Sequence, residues 1–133
     1  MDKIANLIIS LKNAGMVGKE KVYLPYSKLT LNIANLLKTE GYVKAVKVAG
    51  ENSANPADKY LEIVLEYFEK NSPRIREVNR ISKSSQRVYK GANEMPNFKR
   101  GHGLVVVSTP KGLMSSKNAK KEQVGGEVLF SIF

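Results

Sequence analysis

The stretch "VVVSTPKGLMSS", residues 105–116, decides how this chain is read. Leu104 and three valines form an apolar, β-branched run, the pattern of a buried strand. The run stops at Ser108 and Thr109, and then meets Pro110, Lys111 and Gly112, which end a strand. A small polar corner with one positive charge is left at the strand's mouth. Both hydroxyls can donate and accept hydrogen bonds. Gly112 lets another backbone approach closely. The corner is either an ordinary turn with incidental hydroxyls or a contact surface, and only its surroundings can decide between the two.

Working outward, "IREVNRIS" (75–82) and "RVYK" (87–90) read as further strands. "GANEMPNFKRGHG" (91–103) is a loop with room for one helical turn. "SSKNAKKEQVGG" (115–126) predicts a short helix, capped by Ser115 or Ser116 and stopped by Gly125-Gly126. "EVLFSIF" closes the chain as a strand. The N-terminal half has another texture. Ile4, Leu7, Ile8 and Leu11 have the i, i+3, i+4, i+7 spacing of an amphipathic helix, with Asp2 to cap it and Gly15 to close it. "KVYLPY" is a short strand ended by Pro25. Ser27 caps a second helix with the stripe Leu29, Ile33, Leu36 and Leu37, and Gly41 stands at its left-handed end. Two strands follow, "YVKAVKV" and "YLEIVLEYF", around the exposed loop "AGENSANPAD". The fold class is therefore α+β in two small modules. Residues 1–70 form an α-β-α-β-β module, "NSPR" (71–74) is a linker, and residues 71–133 form a mostly β module with a short helix.

The charge is unevenly placed. The 133 residues carry a formal net charge of +10. Residues 1–70 hold ten lysines against eight acids, whereas residues 71–133 hold seven lysines and all five arginines against four acids. That balance predicts a polyanionic partner held by the second module. With no cysteine and one histidine, His102, the chain has no disulfide or thiolate metal site and no ready zinc site. No cofactor or metal is expected. No apolar run reaches the roughly 20 residues that span a bilayer. "MDKIANLIIS" lacks the layout of a signal peptide. A cytoplasmic protein without a membrane partner is the expectation.

Two catalytic readings are weak. Ser108 and Lys111 match S-x-x-K, but that motif needs a helix to bring the lysine back to the serine, and Pro110 and Gly112 oppose one. "GHG" at 101–103 is neither a phosphate loop nor a dinucleotide fingerprint. Binding has better support. Lys83, Arg87 and Lys90 surround Tyr89, with hydroxyls at Ser82, Ser84 and Ser85. Basic residues interleaved with an aromatic suit RNA, whose unpaired bases stack on rings and whose 2′-hydroxyls need both donors and acceptors. Lys117, Lys120 and Lys121 are either a solvated helix face or a further contact. Glu127, after Gly125-Gly126, either accepts from a base amino group or holds a neighbouring Lys or Arg.

Taken together, "DKIANLIISLKNA", "SKLTLNIANLLKTEGY", "RISKSSQRVYK", "GLVVVSTPKGLMS" and "GGEVL" resemble, in order, the motifs of the bacterial small ribosomal subunit protein eight family. The resemblance covers nearly the whole chain. It implies a non-enzymatic constituent of the small ribosomal subunit, a primary binder of the central domain of 16S rRNA that supports assembly. It also implies neighbouring small-subunit proteins as partners, repression of its own operon mRNA, and a monomer outside the ribosome. Ser108, Thr109, Lys111 and Gly112 match the family's RNA-contacting turn. Tyr89 and Glu127 match residues beside it, with Lys83, Arg87, Lys90, Gly125 and Gly126 around them. Asp2, Lys3, Asn6, Lys12 and Asn13 match a surface that meets further rRNA. Pro110 replaces a common serine, removing a hydroxyl and a backbone N–H, and Ser84-Ser85 replaces a common Pro-Gly turn.

Overall fold

The computed structural model describes residues 3–50, 55, 58–69, 72–96 and 103–133. Asp2, His102 and most of the loop at 49–58 lie outside the described residues. The chain folds as two compact units, Met1–Arg76 and Glu77–Phe133.

The first unit runs α1 (Lys3–Met16), β1 (Lys21–Pro25), α2 (Lys28–Thr39), β2 (Val43–Ala49) and β3 (Tyr60–Leu65). A small hairpin, β4 (Tyr67–Glu69) and β5 (Ser72–Pro73), is added to the expected order. α1 buries Ile4, Leu7, Ile8, Leu11 and Ala14, as its spacing dictates. It does not close at Gly15. The helix ends one turn later around Gly18 (φ +78°), where Lys19 N donates to Ala14 O at 2.9 Å, a left-handed terminus. Gly15 is instead a packing glycine, since a Cβ there would lie 3.0 Å from Pro73 Cβ. α2 begins with a reciprocal cap between Ser27 and Thr30 and ends at Gly41 (φ +84°). Leu29, expected in its stripe, is exposed, and Ala34 is buried instead.

The sheet of this unit is antiparallel in the order β1-β3-β2. Leu61, Ile63 and Leu65 alternate inward along the central strand. Across its other face Lys21 Nζ sits 2.9 Å from Glu62 Oε1. That hydrogen bond holds the Glu62 carboxyl below its ordinary pKa and the Lys21 ammonium above its own. β3 stops at Leu65, shorter than the expected strand, because the ladder with β1 ends at Lys21↔Val64. The chain then turns to pair Tyr67–Glu69 with Ser72–Pro73. Part of the expected linker thus belongs to the first unit. Arg74 N donates to Glu66 O, and its guanidinium stacks 3.9 Å from the Tyr42 ring. Arg74 and Arg76 fall on this side of the division, which leaves a net +6 on residues 77–133.

The second unit comprises β6 (Val78–Arg80), β7 (Tyr89–Lys90), a 3₁₀ turn (Ala92–Glu94), β8 (Leu104–Thr109), β9 (Gly112–Ser115), α3 (Ser116–Lys121) and β10 (Gly126–Ile132). β10 is central. β8 and then β9 lie along one edge, while β7 and β6 share the other edge in succession. Met95, Val105, Val107, Ala119 and Val128 form the core beside α3, with Ile81, Val88, Met114 and Val124 packed against it. β8 is buried from Leu104 to Val107, as its apolar run requires. β9 is a strand that composition does not announce. Met114 reaches the core because Gly112–Ser115 folds straight back along β8.

Ser115 is the cap of α3, its hydroxyl accepting from Asn118 N at 3.1 Å. The helix ends at Lys121, before the paired glycines. Gln123 takes the left-handed terminal position (φ +57°), with Val124 N donating to Ala119 O at 3.0 Å. A residue with a Cβ is strained there, so Gln123→Gly should stabilise the protein by about 0.5–1 kcal/mol. Urea denaturation should show a higher midpoint with an unchanged slope, and a lower midpoint would contradict this account of the helix end.

Candidate nucleic-acid interface

The polar corner closes the β8–β9 hairpin. Thr109 and Gly112 form its last pair, leaving Pro110 and Lys111 at the tip. Pro110 takes the second position of the turn, where its fixed φ is favoured and no ladder bond is lost. Gly112 has φ +112°, while a Cβ there would meet nothing within 4 Å. Its backbone conformation, and not crowding, calls for glycine. The Thr109 hydroxyl is engaged inside the turn, accepting from Lys111 N at 3.1 Å and donating to Gly112 O at 2.8 Å. Thr109 therefore stiffens the corner.

Ser108 is different: its hydroxyl has no hydrogen-bond partner among the described residues. It pairs across β8–β10 with Glu127, and Glu127 pairs across β10–β7 with Tyr89. Directly paired residues share a face of a sheet. Tyr89, Glu127 and Ser108 thus stand in one row, continued on β9 by Leu113. Tyr89 is 68% exposed. Glu127 is mostly covered and accepts from Arg87 Nη1 at 3.1 Å, so it holds an arginine beside the row.

The paired glycines make this row possible. A Cβ on Gly126 would lie 2.1 Å from Ser108 O, and one on Gly125 would lie 2.7 Å from Lys90 O. Only bare backbone fits between β7 and β8 at that level. Lys90 pairs with Gly126, one step from Tyr89, and its exposed side chain leaves the opposite face of the strand.

Between β6 and β7 the chain leaves the sheet as a narrow loop. Lys83 and Gln86 exchange backbone hydrogen bonds of 2.8 and 3.1 Å, putting Ser84-Ser85 at an exposed tip. Ser82, which looked like an accessible hydroxyl, is fully buried, and its Oγ accepts from Val88 N at 2.9 Å. It clamps the neck of the loop. Lys83 and Arg87 stay exposed on either side of the tip. On the hairpin side, Lys111 Nζ lies 3.6 Å from Glu122 Oε2, with both side chains about half exposed. Glu122 is a partner that sequence reading missed. It lies eleven residues away across a turn, a strand and a helix, and no local pattern links the two. Lys117, Lys120 and Lys121 are exposed along α3.

In the first unit, Lys3, Asn6 and Asn13 are exposed along α1 and Lys12 is half-buried. Lys3 and Asn6 line a pocket of about 120 Å³ with Pro25 and Tyr26. Asn13 lines a groove of about 540 Å³ with Lys19, Lys21 and Tyr23. At 100° per residue, Lys12 falls on the other flank of the helix. The expected surface therefore divides between two sides of α1. Asp2 lies outside the described residues.

The site offers the Ser108 hydroxyl, the exposed Tyr89 and several cations around a stiff corner. Ser108 lies in an extended strand, so the one-turn approach that an S-x-x-K serine needs does not form. No group of three or more metal-ligating side chains occurs among the described residues, and no helix there is long and apolar enough to cross a membrane. Gly126→Ala should cost more than about 2 kcal/mol, because the strand must part from Ser108 O to admit a methyl group. Thermal unfolding measures it, and a Tm within a degree of the parent would refute the close approach.

The sequence matches the family described as "Ribosomal protein S8" over residues 2–133. It is 42% identical over 132 residues to a small ribosomal subunit protein uS8 from Ruegeria sp. (strain TM1040), covering 99% of this chain and 98% of that protein. Small ribosomal subunit protein uS8 from Geobacter sulfurreducens is 39% identical over 132 residues, covering 99% of this chain and 97% of that protein. The protein of that name from Nitrobacter hamburgensis is 42% identical over the same length, with the same two coverages.

Proposed function

The chain belongs to the ribosomal protein S8 family, and from that premise we propose how it works. It is a structural constituent of the small ribosomal subunit, in the cytoplasm, and not an enzyme. It associates there with rRNA and with other small-subunit proteins. Its contact with the central domain of 16S rRNA runs through the second unit, and by binding early it supports assembly of the subunit.

One observation carries this reading. Among the described residues the Ser108 hydroxyl has no partner, and it stands in one row with the exposed Tyr89; Glu127, between them, holds Arg87 beside the row, and Lys111 sits at the tip of the adjoining β8–β9 hairpin. An irregular RNA helix offers what such a row can use. It has an unstacked base or sugar for the ring, a 2′-hydroxyl or base edge for Ser108, and phosphates for the cations. Lys83 and the exposed lysines of α3 add phosphate contacts that raise affinity without reading shape. Lys3, Asn6, Lys12 and Asn13 form a separate contact with further rRNA. A messenger RNA that folds into the same shape would occupy the same row, which is how the protein would repress its own operon.

A footprint on small-subunit rRNA should show protection in the central domain, and no protection there would overturn the assignment. Three substitutions separate reading from scaffolding. Ser108→Ala should weaken binding to the protected fragment by about 1 kcal/mol at unchanged stability. Tyr89→Ala should weaken it by about 1–3 kcal/mol, again without unfolding the protein. Thr109→Val should instead lower stability by about 1–2 kcal/mol, because its hydroxyl closes the turn. Equal affinity for the parent and for both Ser108→Ala and Tyr89→Ala would remove the row from the interface.

A further inference from the structure

We infer that Glu122 is a built-in competitor for the phosphate that Lys111 binds, and so sets how far charge alone can hold RNA at this turn. The inference rests on the proposed reading of the turn as an RNA contact.

Arg87, beside the row, and Lys111, at the tip of the β8–β9 hairpin, are each already paired with a carboxylate of this chain, and the two pairs differ in kind. Arg87 is held at 3.1 Å by Glu127, whose side chain is only 15% exposed and is fixed between β7 and β8. That carboxylate cannot leave without disturbing the sheet, so it orients its arginine. Lys111 is held at 3.6 Å by Glu122, whose side chain is 52% exposed at the C-terminal cap of α3. Among the described residues no other side chain holds this carboxylate, and it can swing into solvent.

The lysine, by contrast, grows from a stiff backbone. Pro110 fixes φ on one side of it, and Thr109 Oγ1 accepts from its N–H. When RNA arrives, the fixed corner stays and the half-exposed carboxylate is the part that yields. A phosphate oxygen then takes the place of Glu122 Oε2 beside Nζ. The exchange trades one anion for another, and until it happens the Glu122 charge repels the incoming backbone. Both effects lower affinity for any RNA, so net binding must lean on Ser108 and Tyr89. An exposed ion pair is weak, which is what a displaceable partner requires.

Glu40 supplies a control. It caps the C-terminus of α2 as Glu122 caps that of α3, but it lies in the first unit and has no ion pair among the described residues. Glu122→Gln and Glu40→Gln change the net charge equally and at equivalent helix positions. A carboxylate is disfavoured at a helix C-terminus, so neither change should lower Tm.

The test measures binding of the central-domain rRNA fragment across a range of salt. Glu122→Gln should tighten binding about two- to five-fold at low salt and steepen the salt dependence by up to about one ion. Glu40→Gln should do neither. Combined with Lys111→Ala, Glu122→Gln should lose its effect. The inference falls if Glu122→Gln changes nothing while Lys111→Ala weakens binding, or if its gain survives in the Lys111→Ala background. If Lys111→Ala itself leaves affinity and salt dependence unchanged, Lys111 holds no phosphate and this inference fails, while Ser108→Ala and Tyr89→Ala decide the reading beneath it separately.

Discussion

Between Gly126 and the carbonyl of Ser108 there is no space for a side chain: a Cβ would sit 2.1 Å from that oxygen. One residue earlier, Gly125 is pressed against Lys90 O. These two approaches let β10 enter the sheet between β7 and β8. Everything at the interface depends on them. With β10 seated, Glu127 lies between Tyr89 and Ser108 and can reach Arg87. With β10 displaced, a free hydroxyl and an exposed ring would still exist, but not in one row. The constraint is steric and backbone-only, so no hydrophobic or charged substitute can reproduce it.

The hydroxyls around this sheet divide their work by geometry. Ser82 ties the neck of the Lys83–Gln86 loop, Thr109 closes the β8–β9 turn, and Ser115 caps α3. Each satisfies backbone groups that the fold would otherwise leave unpaired. Ser108 alone among these four has no partner in the described structure. Of these four hydroxyls, three are scaffold and Ser108 is left able to meet a ligand. That arrangement suits RNA shape reading, which needs a few polar atoms held still.

Much of this was readable in the residues themselves, and the failures have physical causes. Periodicity placed both N-terminal helices, the buried β8 and the closing strand, because burial on one face or two leaves a regular trace. Helix ends were harder. Gly15 and Gly125-Gly126 were read as terminators because glycine suits a left-handed cap, yet close packing uses glycine too. The true ends fall at Gly18 and at Gln123, a residue that composition would not nominate. β9 was invisible because four residues are too short to show a period. Ser108, Tyr89 and Glu127 can each be picked out of the sequence as candidates, but their alignment in one row cannot. Strand register is a property of paired chains and is not written in either one.

The same limit applies to charge. Counting residues assigns lysines and arginines to an interface as if each were free. In the folded chain Arg87 and Lys111 already have carboxylate partners, at 3.1 and 3.6 Å, and Arg74 is stacked on the Tyr42 ring in the other unit. The field that draws RNA in is therefore smaller than the count implies, and it is shaped by which partners can let go. A partner fixed in a sheet makes its cation directional, whereas a partner on a helix end makes its cation conditional. In the proposed reading recognition follows from the combination: bare backbone sets the row, and the row presents Ser108 and Tyr89 among cations whose charge is already partly met.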